Sequence, residues 1–108
     1  MLLAGIQNGI GEIMKEYYVY IMANQRNGTL YTGITSDLVR RVWQHKTGET
    51  KGFTSQYKIN LLVYYEIHND IMEAIKKEKN IQAWKRNWKL HLIEKSNPNW
   101  DDLYKLII

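Results

Sequence analysis

Between Tyr17 and Ala23 apolar and aromatic side chains follow one another without a charge, as YYVYIMA, and after NQRNG a second such run begins, TLYTGIT. Runs rich in β-branched and aromatic residues, separated by Asn and Gly, read as two strands of a hairpin with Asn27-Gly28 at the turn. The period then changes. In SDLVRRVWQHKTG the apolar residues recur at helical spacing, Ser36 or Asp37 stands at the N-cap and Gly48 lies just past the end, which predicts a helix of about three turns. A polar, glycine-containing connection, GETKGFTSQYKIN, leads to LLVYYEI (61–67), whose nearly continuous apolar run predicts a third strand buried on both faces. Asp70 as N-cap with Glu73 three residues on opens a helix that runs to about Trp84. Helical spacing resumes from Arg86 to Lys95 through Trp88, Leu92 and Ile93, and Pro98 stops it. The tail WDDLYKLII is expected to pack a short turn and its apolar end onto the core. The order of elements is that of an α+β domain.

A chain of 108 residues fits one such domain. With 44% hydrophobic and 24% charged residues it is a packed globular sequence, without repeats or low-complexity tracts. No apolar run is long enough to span a bilayer. Residues 1–16 lack the basic start and continuous apolar core of a secretory signal, and read as a flexible N-terminal extension ahead of a single domain over 17–108. The absence of cysteine excludes disulfides, a thiol nucleophile and thiolate metal sites, and suggests a cytoplasmic protein. The net charge is +4, and because Lys15 and Arg26 balance Glu12 and Glu16, the whole excess lies downstream of Thr35. That distribution suits a polyanion, although solubility alone would favour it too.

Turning each helical residue through about 100° sorts the first helix by direction. Leu38, Val39, Val42 and Trp43 share one stripe, Arg40 and Gln44 face away, and Arg41 and His45 meet on one border at i,i+4 spacing. Arg41, not Arg40, is therefore aimed along the body of the domain. A border arginine resting its stem on the core beside a surface histidine would give the same pattern. In the helix from Asp70, Ile71, Met72, Ala74, Ile75 and Ile81 share one face with Glu78 near its centre. Burying an unpaired carboxylate is costly, so Glu78 reads either as half of an ion pair, with a lysine or Arg41, or as a metal ligand. Alternation along the hairpin puts Tyr20 on the same face as Tyr31 and Gly33, and pairing symmetric about Gln25-Arg26 sets Tyr20 directly opposite Tyr31. Plain cross-strand aromatic packing explains that pair equally well. Gly33 would leave room there for a ligand close to the backbone. Two tyrosines, an arginine, a histidine and a carboxylate together suit phosphodiester hydrolysis: the carboxylate holds a cation, the arginine meets charge on phosphate, and a Tyr or His handles the water.

Tyr18-Val19-Tyr20 and Tyr31-Thr32-Gly33, spaced about ten residues apart and followed by DLVRRVWQH, resemble the motifs of the GIY-YIG nuclease family. Tyr18 stands where the family name has Gly, and Thr32 where it has Ile. The resemblance extends from Tyr17 to about Tyr104, through FTSQY, LVYYE, EAIKKEK and NPNWDDLY. In these later segments it is similar to small stand-alone members related to the nuclease domain of the excision-repair subunit. It implies a small three-stranded antiparallel sheet flanked by helices, and a DNA endonuclease using one divalent cation, Mg²⁺ or Mn²⁺, in repair or recombination. It further implies that Tyr20 and Tyr31 are the active-site tyrosines, either of which could be the general base, with Arg41 the catalytic arginine, His45 the helix histidine and Glu78 the metal ligand. Either Asn87 or Asn97 could stand for the late asparagine of some members. DNA is expected over RNA, recognised by shape or backbone, with no membrane and with room for a protein partner that supplies recognition. Lys46, Lys51, Lys58, Lys85 and Arg86 could track phosphates, and Phe53, Tyr57 or Trp88 could stack on an unpaired base, although solvated lysines and core aromatics share these spacings. A non-catalytic nucleic-acid-binding or assembly module of the same fold is the alternative.

Overall fold

The computed structural model describes residues 15–50 and 52–108. Except for Lys15 and Glu16, the expected flexible extension lies outside the described residues. The uncharged runs form β1 (Tyr17–Ala23) and β2 (Leu30–Thr35), and the third strand is β3 (Leu61–His68). They make one antiparallel sheet in the order β2-β1-β3. The central position of β1 explains its composition, since Val19 to Ala23 are all buried, and a charge there would have no partner. β3 is an edge strand; the expected burial on both faces holds at Leu62 and Val63, which pack into opposite core clusters, but not at Ile67, which is 53% exposed. A continuous apolar run does not reveal which strand has neighbours on both sides.

Five helices follow among the described residues. α1 (Leu38–Thr47) is capped by Asp37, whose carboxylate accepts the Arg40 N–H at 3.1 Å, and it ends at Gly48 with φ 75°, where a side chain would be strained. α2 (Phe53–Gln56) is a single turn within the connection read as irregular. α3 (Ile71–Ala83) starts at Asp70, which accepts the Met72 N–H at 3.1 Å. α4 (Arg86–Ser96) and α5 (Tyr104–Ile107) complete the chain.

Alternation along β1 divides the core. Val19, Ile21 and Ala23 pack with Val63, with Ala74 and Ile81 of α3 and with Ile93 of α4. Tyr20 and Met22 face the other way, onto Leu38 and Val42 of α1, with Leu103, Tyr104 and Ile107 of the tail against them. The sheet thus lies between two helical layers. The buried seam of α1 runs through Leu38, Val42 and His45, so it is rotated toward His45 from the expected stripe, and Val39 and Trp43 are exposed. In α3 the seam runs through Ala74 and Ile81, leaving Ile71 and Met72 exposed.

Candidate active site

The hairpin loop places the first two tyrosines. Gly28 N–H bonds to the Gln25 carbonyl at 3.0 Å and Asn27 adopts φ 57°, a left-handed value that Asn tolerates better than most residues. The loop therefore closes about Arg26-Asn27, one residue beyond the expected centre. Tyr20 pairs with Gly33, and Tyr31 with Met22, so the expected direct Tyr20–Tyr31 pairing is replaced by a diagonal one. A two-residue shift preserves faces, and the two rings still meet, with centroids 6.3 Å apart. The space over Gly33 is not open to a ligand, because the Tyr20 ring fills it: a Cβ on Gly33 would lie 2.5 Å from the Tyr20 hydroxyl.

His45 completes this cluster from α1. It is 6% exposed, its ring centroid lies 5.3 Å from that of Tyr31, and its Nε2 lies 3.1 Å from the Tyr20 hydroxyl. Its Nδ1 faces the Thr50 hydroxyl at 3.2 Å, which in turn meets the Thr54 hydroxyl at 3.0 Å. Burial and then the nearby Arg41 charge lower the His45 pKa to about 4, so the ring is neutral at pH 7, with one nitrogen donating and the other accepting. Burial, above all, pushes the Tyr20 phenol well up; Tyr31 and Glu78 add to this and Arg41 opposes it. Both groups of the pair are uncharged near neutrality.

Arg41, one turn before His45, is half-buried and has no carboxylate in ion-pair contact among the described residues. It lines a cavity of about 380 Å³ with Arg40, Thr35, Ser36, Asp37 and Gln44. Glu78 approaches from the other helical layer. It is half-buried and forms no ion pair among the described residues, so the expected pairing with a lysine or Arg41 is absent. Its carboxylate accepts from Gln82 Nε2, which also donates to the Thr32 carbonyl on β2 at 3.3 Å. No group of three or more His, Asp or Glu is gathered among the described residues. A carboxylate without a lysine or arginine partner still fits Mg²⁺ or Mn²⁺, which retain water and take further oxygen ligands from phosphate.

Of the expected basic residues, Lys46 and Lys58 line a cavity of about 260 Å³ together with His45. Lys46 is engaged by Asp102 and by the Asn60 carbonyl at 2.8 Å. Arg86 donates to the Asn27 and Gly28 carbonyls, each at 2.7 Å, and so clamps the hairpin turn. Lys58 and Lys85 are exposed, and Lys51 lies outside the described residues. Asn97 is buried, its amide donating to the Val63 and Asp101 carbonyls, which assigns it to the scaffold. Phe53, Tyr57 and Trp88 are all exposed rather than core. Gln82, Thr50 and Thr54 were not singled out in the sequence. The Glu78/Gln82 i,i+4 spacing was a signal for the first, whereas the two threonines sit in a connection without periodicity.

A family model described as the GIY-YIG catalytic domain matches residues 16–91. A UPF0213 protein of Staphylococcus saprophyticus subsp. saprophyticus is 35% identical over 80 residues, covering 74% of this chain and 96% of its own. A UPF0213 protein of Staphylococcus aureus is 36% identical over 81 residues, covering 75% and 98%. The solution NMR structure of a UPF0213 protein from Bacillus halodurans superposes with a TM-score of 0.52 at 27% identity, covering 84% of this chain and 96% of that one. It has the same fold, a three-stranded antiparallel sheet flanked by helices.

Proposed function

The chain belongs to the GIY-YIG family, and on that premise we propose that it is an endonuclease that hydrolyses phosphodiester bonds in DNA with the help of one divalent cation, Mg²⁺ or Mn²⁺. The observation that carries this reading is the buried contact between the Tyr20 hydroxyl and a neutral His45 Nε2 at 3.1 Å. A phenol with an ordinary pKa near 10 is a poor base at pH 7 unless its own proton has somewhere to go. Nε2 of His45, unprotonated at pH 7, takes that proton transiently: Tyr20 accepts a proton from the attacking water while its own moves to Nε2, and burial and Arg41, which disfavour the imidazolium, drive its release to solvent afterwards. Arg41, without a carboxylate partner, meets the charge that develops on the phosphate. Glu78 would hold the cation, which when bound polarises a phosphoryl oxygen and stabilises the leaving oxygen. Tyr31, against both rings, orients the pair.

So small a domain reads shape and backbone more than base edges, which suits work on repair or recombination intermediates, in the cytoplasm and with a protein partner for targeting. The test is cleavage of labelled single-stranded, duplex, flap and four-way DNA with Mg²⁺, Mn²⁺ or EDTA. Cleavage that needs the metal and is lost in Arg41→Ala and Glu78→Ala is the expected result. No cleavage of any substrate by folded protein would leave a binding or assembly module instead.

A further inference from the structure

The segment from α3 into α4 is fastened to the β2 side of the hairpin at two places: Gln82 bonds to the Thr32 carbonyl, and Arg86 to the Asn27 and Gly28 carbonyls. Tyr31 lies on the strand between them. Trp84, between the same two fastenings in sequence, packs on the core formed by β1, α3 and α4. From Trp84 a groove of about 570 Å³ runs along α4, lined by Trp84, Asn87, Trp88, His91, Leu92 and Lys95. The groove therefore belongs to the α3–α4 layer, the layer that also carries Glu78.

Its chemistry is specific. Trp88 is 61% exposed and meets Trp84 at an angle, with centroids 6.1 Å apart and planes at 71°, so the two rings do not cover each other face to face. Lys85 and Lys95 are exposed and form no ion pair among the described residues. The one carboxylate of α4, Glu94, accepts from Trp100 Nε1 at 2.7 Å. An open indole face in a groove that also holds the unpaired Lys95 ammonium offers a stacking surface and a phosphate contact together, which is the combination that unpaired nucleic acid uses. In a duplex each base face is already covered by its neighbours.

We propose that the α4 groove docks the unpaired flank of the same DNA strand that enters the candidate active site, with a base stacked on Trp88 and a phosphate facing Lys95. The entry of that strand rests on the nuclease reading above; the groove itself is tested without cleavage. The experiment is binding of labelled oligothymidylate to the full chain in EDTA, followed by anisotropy across a salt series. Trp88→Ala should weaken binding roughly tenfold or more, Trp88→Phe should retain most of it, and Lys95→Gln should lower the salt slope by about one. Because Trp88 is exposed, circular dichroism should show each variant folded. Oligothymidylate binding unchanged in Trp88→Ala overturns the proposal, as does an equal loss on blunt duplex. Oligouridylate bound as tightly through Trp88 would reassign the groove to RNA, and a dimer dissolved by Trp88→Ala without change in oligothymidylate binding would reassign it to a second copy of the chain. Absence of cleavage of every substrate by the folded chain would sink the nuclease reading and leave this result standing, and the converse also holds.

Discussion

At the scale of single residues, Gly33 and Tyr20 form one unit. The Gly33 backbone is ordinary strand, so its missing side chain serves only to admit the Tyr20 ring, whose hydroxyl would lie 2.5 Å from an added Cβ. Gly33→Ala should cost about 1–3 kcal/mol of stability and close to nothing in a Tyr20→Ala background; a double-mutant cycle by urea unfolding measures the difference, and equal costs in both backgrounds would refute the coupling. His45 makes a second prediction, in pH. Its folded pKa is lowered to about 4 from 6.5, so below pH 6.5 the unfolded chain takes up a proton that the folded ring refuses. This contribution is complete above pH 6.5 and is lost as the pH falls toward 4, by up to about 3 kcal/mol. Unfolding free energies at pH 7 and pH 4.5 should therefore diverge more in the wild type than in His45→Gln. Parallel losses would mean that another group carries the acid sensitivity.

At the scale of elements, the buried asparagine at the end of α4 behaves differently from the one near its start. Asn97 joins the helix end to β3 and to the following turn, donating to the Val63 carbonyl at 3.0 Å and the Asp101 carbonyl at 2.9 Å while accepting the Asp101 N–H at 3.0 Å. Asn97→Ala strands the buried Val63 carbonyl and removes two part-buried bonds to Asp101, and should destabilise by about 2–3 kcal/mol, whereas exposed Asn87→Ala should stay within about 0.5 kcal/mol; denaturant midpoints distinguish them, and similar shifts would refute the assignment. The same contrast explains what could be read from the sequence. Helix ends were legible, because Asp37, Gly48 and Asp70 act on their own backbone neighbours. The Arg41, His45 and Glu78 directions were legible from helical angle, although His45 proved to be buried and Glu78 unpaired. The position of β3 at an edge, the hairpin register and the turn α2 were not. Each depends on something outside its own segment or too short for periodicity: the neighbours of a strand, the φ of Asn27, and a helix of four residues entered through Gly52 at φ 91°.

At the scale of the molecule, the candidate site is built from both helical layers around the β2 edge. Tyr20, Tyr31, Arg41 and His45 belong to the α1 side, where Tyr20 packs with Leu38 and Val42, whereas Glu78 comes from α3 on the opposite side. Anything that lets α3 drift against β2 changes the position of the carboxylate relative to the tyrosines without touching either. Gln82 ties the Glu78 carboxylate itself to β2, since it donates both to Glu78 and to the Thr32 carbonyl, whereas Ala74, Ile81 and Arg86 hold the helical layer as a whole. Gln82 is exposed, so its loss opens no cavity, and Gln82→Ala should leave the unfolding midpoint nearly unchanged. Supporting partners of metal-binding carboxylates contribute about ten- to hundredfold to metal affinity or activity, so the Mn²⁺ concentration for half-maximal cleavage should rise by that order. Gln82→Glu offers a sharper form of the same test. It keeps the length of the side chain but replaces the donor with a second carboxylate beside Glu78, so it should not restore the wild-type Mn²⁺ response. A Gln82→Ala variant that cleaves with the wild-type metal dependence would show that Glu78 is positioned by α3 alone, and that the tie across the sheet edge is structural decoration rather than part of the site.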